Sequence, residues 1–140
     1  MNKLYSIIIL LLISFATEVS AQSYQVIVNE SNSTAEISKG DLSDIFLKKK
    51  TKWDYGSAIT PVDLNARSGV REAFSKDIHG RGIGAIRSYW QQAAFSGAGT
   101  APLERSGDAE VIDFVKSNPG AVGYISADTD AAGVKVLSIN

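Results

Sequence analysis

Residues 59–74, ITPVDLNARSGVREAF, constrain this chain more than any other stretch. They read as a short apolar strand (59–64), a tight connection (65–67) and a helix opening at Ser68-Gly69. A strand that feeds a helix through a small-residue turn is one half of an alternating α/β pattern. It also leaves backbone N–H groups unpaired at the helix start. Together with the positive end of the helix dipole, those donors suit an anion. Arg67 and Arg71 flank Ser68, the expected cap, while Glu72 supplies the one carboxylate of the first turn. Two readings of the segment stand side by side. One is an anion site built from Arg67, Ser68, Gly69, Val70 and Arg71; the other is an ordinary Ser-capped helix with solvated arginines.

The rest of the chain fits the same alternation. Residues 24–28 (YQVIV) form a first strand, apolar on both faces, as in a sheet covered by helices. Ser38 starts a helix whose stripe is Leu42, Ile45 and Phe46, and Lys48, Lys49, Lys50 and Lys52 follow at its end. Val70, Phe74 and Ile78 line one face of the second helix, and the glycines of 79–84 break it. Ile83, Ile86, Trp90 and Ala93 give a third helix, and 95–102 a long surface connection. Val111, Phe114 and Val115 mark a fourth helix, opened by 106–108 and ended by Asn118-Pro119-Gly120. Residues 121–125 and 134–139 read as two more strands. The expected core joins Phe74, Trp90, Phe114 and Tyr124, with Trp90 bracing two helices. Strand order and the direction of the last strand stay open from the sequence.

The N-terminus reads differently. Lys3 precedes the wholly apolar run 7–13, and Val19-Ser20-Ala21 has the small-residue form of a cleavage site. Residues 1–21 are therefore expected to be a secretory leader, and 22–140 a single periplasmic or secreted domain. An uncut anchor is the other reading, although about 20 apolar residues are needed to span a bilayer. The chain has no cysteine, which removes disulfides and thiolate metal sites. A net charge of −1 carries no basic excess for nucleic acid.

Neither a metal nor a cofactor motif is visible. The glycines around 80–84 do not have the spacing of a phosphate loop or dinucleotide fingerprint, and no strand leads into them. Asp63, Glu72 and the single histidine, His79, are scattered, with no motif that sets a nucleophile beside a base. The chain is not expected to be an enzyme. At the fourth helix start, Asp108 and Glu110 would repel an anion, which sets it apart from the start at Ser68.

Several motifs carry a family resemblance. I-F at 45–46, W at 53, I-T-P-V at 59–62, S-G-V-R-E-A-F at 68–74, Y-W at 89–90 and V-K-S-N-P-G-A-V-G-Y at 115–124 resemble the periplasmic phosphate-binding proteins of ABC transporters. The pattern is most similar to short exported relatives that keep one lobe of that fold. The resemblance implies a three-layer α/β sandwich, a single lobe of a type II periplasmic-binding-protein fold, that recognises phosphate or another oxyanion and works with a transporter. The family's phosphate loop runs Arg-x-Asp-Gly-Ser-Gly-Thr. Ser68 and Gly69 match it, whereas Leu64 stands at the arginine, Ala66 at the acid, Arg67 at the preceding glycine and Val70 at the threonine. With half the polar set replaced and no second lobe to cover a ligand, the resemblance implies weak binding. The alternative it implies is an envelope interaction module whose anion site is vestigial. Oligomeric state is not readable.

Overall fold

The computed structural model describes residues 23–140; the expected leader, 1–21, and Gln22 lie outside the described residues. Seven strands and four α-helices follow in chain order: β1 (Tyr24–Val28), β2 (Glu36–Ile37), α1 (Lys39–Phe46), β3 (Thr60–Leu64), α2 (Gly69–Phe74), α3 (Ile83–Phe95), β4 (Leu103–Arg105), α4 (Asp108–Ser117), β5 (Ala121–Ser126), β6 (Lys135–Val136) and β7 (Ser138–Ile139). Five strands make one sheet in the order β4-β3-β5-β1-β6. β3 runs parallel to both β4 and β5, and β1 alone runs against its two neighbours. Helices cover this sheet in the α/β sandwich expected of one lobe, and β1 and β5 are buried along most of their length, as two-sided strands require.

Local chemistry explains most boundaries. Ser38 caps α1 by accepting from the Asp41 amide at 3.1 Å. Ser68 does the same for α2, accepting from the Arg71 amide at 3.1 Å. The second helix does not run on as one regular helix: Ser75–His79 widens into a π-turn that stops at Gly80. Ser75 Oγ donates to the Arg81 carbonyl at 2.6 Å there, tying the widened turn to the chain that leaves it. Ile78 still reaches the core.

The core centres on stacked rings. Phe74 lies on Tyr124 at 3.8 Å with a 5° interplanar angle, and Phe46 and Tyr24 meet Phe74 edge-on. Two of the four expected core aromatics depart from expectation. Phe114 is only half-buried, with the Arg105 guanidinium 5.0 Å over its ring. Trp90 is buried but lies outside the main cluster.

The glycines of P-G-A-V-G-Y have a packing reason. A Cβ on Gly120 would fall 2.2 Å from the Ala58 carbonyl oxygen, where the two backbones meet. A Cβ on Gly123, in the middle of β5, would sit 2.7 Å from Val111 and 2.9 Å from Val62 side chains. Gly123 therefore lets α4 lie directly on the sheet.

Three elements differ from the sequence reading. β2 and β4 fall in stretches with no strand signal, and the last expected strand, 134–139, divides. β6 pairs with β1, while β7 turns away to pair in parallel with β2 as a separate ribbon. Leu137, buried between them, donates its amide to Val26 and marks the switch.

Candidate functional site

The end of β3 and the start of α2 form a turn held by Asn65. Its Oδ1 accepts from the Arg67 amide at 3.0 Å, its carbonyl accepts from the Ser68 amide at 3.1 Å, and its own amide donates to Arg105. With the Arg71 amide taken by Ser68 Oγ, the Gly69 and Val70 amides are left without an acceptor among the described residues. Arg67 and Gly69 are exposed, and Ser68 and Val70 half-buried. Four of the five expected site residues are thus together at one surface.

Arg71 departs from that expectation. Its side chain turns under the turn rather than over it and is only 5 % exposed. Nη1 donates to the Leu64 carbonyl at 3.0 Å and to Glu104 Oε1 at 2.6 Å, and Nη2 lies 3.8 Å from Asp63 Oδ2. Tyr124 joins the group, donating to Asp63 Oδ1 at 2.7 Å and accepting from the Leu64 amide at 3.3 Å. The reason is local: a helix side chain leans back over the preceding turn. From Arg71 that direction leads under the turn to β3 and to Glu104 on neighbouring β4. One cation is met by two carboxylates, so Arg71 brings no spare positive charge to the surface above it.

Burial dominates the electrostatics of this group. It pushes the Asp63 carboxyl up to about 6, against the opposing pull of Arg71 and Tyr124. The 3.8 Å separation from Arg71 is ion-pair contact rather than a close hydrogen bond, which is why burial prevails. The Tyr124 hydroxyl is held far above its ordinary value by burial and then by Asp63.

His79 has a partner that its sequence position did not reveal. Its Nδ1 lies 2.7 Å from Ser43 Oγ, joining the π-turn to α1. Burial, then the charges of Arg81 and Arg71, lowers the imidazole to about 4, so it stays neutral at pH 7. Phe74 packs edge-on against the ring. The contact reads as a pin between two elements. Among the described residues, no cluster of His, Cys, Asp or Glu could hold a metal ion.

The acidic start of α4 is engaged internally. Glu110 accepts from Ser106 through both amide and hydroxyl, and Asp108 accepts from the Ser126 amide and the Thr129 hydroxyl. Lys50 of the basic cluster pairs with Asp54 and Asp41, while Lys48 and Lys49 are exposed. The 95–102 connection begins in an ordered cap, with the Ala98 amide bonding back to Ala93 at 2.8 Å. No described helix is long and apolar enough to cross a membrane.

Residues 17–138 match the family model described as the PBP superfamily domain. The fold is similar to an ABC-type phosphate transport receptor from Vibrio cholerae, with a TM-score of 0.66 at 19% identity, covering 84% of this chain and 46% of that one. A possible phosphate binding protein from Planctomyces limnophilus DSM 3776 superimposes with a TM-score of 0.63 at 19% identity, covering 85% and 42% of the two chains. PstS from Borrelia burgdorferi gives 0.59 at 15% identity, covering 85% and 47%. The chain thus spans less than half the length of these structures. No curated protein sequence matches it.

Proposed function

The chain belongs to the PBP superfamily, and from that membership we propose that it is an exported solute-binding-like lobe that recognises phosphate or a related oxyanion weakly. The observation that carries the reading is the start of α2. There the free Gly69 and Val70 amides, the Ser68 hydroxyl and the exposed Arg67 share one surface, on the segment that resembles the family's phosphate loop. In this reading Arg67 supplies the charge, Ser68, Gly69 and Val70 the hydrogen bonds, and Arg71 acts from beneath by holding β3, β4 and α2 in register. The protein's task is binding, with no covalent step. Each charge-assisted bond is worth roughly 1.5–3 kcal/mol at best, and an open site keeps the screening of water. Affinity is therefore expected between micromolar and millimolar. Residues 1–21 act as a cleaved leader, the domain begins at Gln22, and delivery to a membrane transporter is the role the family suggests.

The test is titration of the protein with phosphate and sulfate, followed by amide NMR. Saturable shifts at Gly69 and Val70 that weaken with salt and with Arg67→Gln support the site. Absence of shifts there at high phosphate sinks it. A second reading, an envelope interaction module with a vestigial anion site, is favoured by one observation: Phe95 is 96 % exposed at the end of α3, with exposed Leu103 on the edge strand β4. N-terminal sequencing of exported protein tests the leader, and an intact Met1 on a membrane-bound product overturns it.

A further inference from the structure

Beside α3, and separate from the α2 start, lies a pocket of about 310 Å³. That is the lower end of the roughly 300–1,000 Å³ range of small-molecule sites. Trp90, Ala94 and Ala101 give it apolar walls. Its charged groups are Arg71, Glu104 and Arg87, with Gln91 and Thr100 as neutral polar neighbours. Arg71 belongs to both places, by its amide at the α2 start and by its guanidinium here.

The charges decide what fits. Arg71 and Glu104 are bound to each other at 2.6 Å, with Asp63 behind Arg71, so this group has no positive charge to spare. Arg87 is exposed and has no ion-pair partner among the described residues. One unpaired guanidinium beside an indole and two alanines suits a ligand with one negative charge on a flat apolar body. A second negative charge on the ligand would meet Glu104, which disfavours phosphate in this pocket. We propose that the pocket binds a small organic monoanion, a carboxylate carried on a single ring or similar apolar body, with the body against Trp90 and the carboxylate on Arg87.

Benzoate is the probe, read by NMR through the Trp90 indole N–H and the Ala101 amide of the protein. Saturable shifts at both are expected. Benzamide, which keeps the ring without the charge, and acetate, which keeps the charge without the ring, should each bind more weakly. Arg87→Gln should weaken benzoate about fivefold, the upper end for an exposed ion pair. Ala94→Phe, at an exposed position on α3, should fill the pocket and abolish the shifts while leaving the fold intact. Absence of saturable shifts, equal affinity for benzamide, or an unchanged response in Arg87→Gln would overturn the proposal. Phosphate shifts at Gly69 report on the other site alone, so either can fail without the other.

Discussion

Arg71 Nη1 and Glu104 Oε1 lie 2.6 Å apart, and the pair locks β4 to the end of β3 from below the turn that opens α2. The two partners are not equivalent. Arg71 is buried and also faces Asp63, whereas the Glu104 side chain is half-exposed.

Replacing Arg71 by Met should therefore cost about 3–5 kcal/mol at pH 7, because it strands Asp63 in the interior. Glu104→Gln should cost no more than about 1 kcal/mol, since water can take over its role. Urea denaturation of both variants checks the ranking, and equal losses would contradict it.

The pH dependence follows from two groups whose shifts oppose each other. Asp63 is raised from 3.8 to about 6, so its contribution is fully present below pH 4 and is lost as pH rises through 6. His79 is lowered from 6.5 to about 4, so its contribution is present above pH 6.5 and is lost as pH falls towards 4. Between pH 4 and 6.5 the two largely cancel, and stability should be nearly flat. In His79→Gln only the Asp63 contribution remains, and stability should rise as pH falls from 7 to 4.5. Thermal melts across that window measure it.

Phe74→Ala should cost about 3–5 kcal/mol, because the ring is fully buried between Tyr124, Phe46 and Tyr24. Phe114→Ala should cost less, about 1–2 kcal/mol, as expected of a half-buried ring. Chemical denaturation of the two variants side by side tests where the core lies.

Lys48 closes α1 with φ +56, a left-handed conformation that is costly for any residue with a Cβ. Lys48→Gly should stabilise the protein by about 0.5–1 kcal/mol, after the extra freedom of glycine in the unfolded chain is counted. A lower melting temperature in the variant would contradict this account.

Gly123→Ala should destabilise by about 1–3 kcal/mol through overpacking against Val111 and Val62. Adding Val111→Ala should recover part of the loss. A purely additive double mutant would argue against contact between these side chains.

Much of this fold was legible in the sequence because its signals are local. The caps at Ser38 and Ser68, the strand at 24–28 with its two apolar faces, the strand at 121–125 and the helix stripes all depend on near neighbours. What escaped depends on distant partners. β2 and β7 are two-residue strands that exist only through each other, and β4 is three residues on an edge. The π-turn at 75–79 leaves the apolar spacing of Phe74 and Ile78 intact, so periodicity passes over it. Arg71 is the hardest case. Its position on the segment suggests a surface role. Although its side chain leans under the turn for a local reason, the carboxylate it meets there, Glu104, comes 33 residues later. Asp63 beside it is held by Tyr124 on another strand. Ser43 beside His79 is of the same kind, two residues 36 apart that only the packing of α1 on the π-turn brings together.

The placement of β1 bears on how the chain reaches this fold. Its two neighbours in the sheet, β5 and β6, come from residues 121–136, and the register sets Tyr24 opposite Ser126. A chain that emerges from its N-terminus makes β1 long before β5 and β6, the only strands that pair with it among the described residues. Sheet closure is thus a late, long-range event with a large loop entropy to overcome, the kind of topology that folds slowly. Through that interval the YQVIV segment remains an unpaired, strongly β-forming edge, which makes it the part of the nascent chain most in need of shielding.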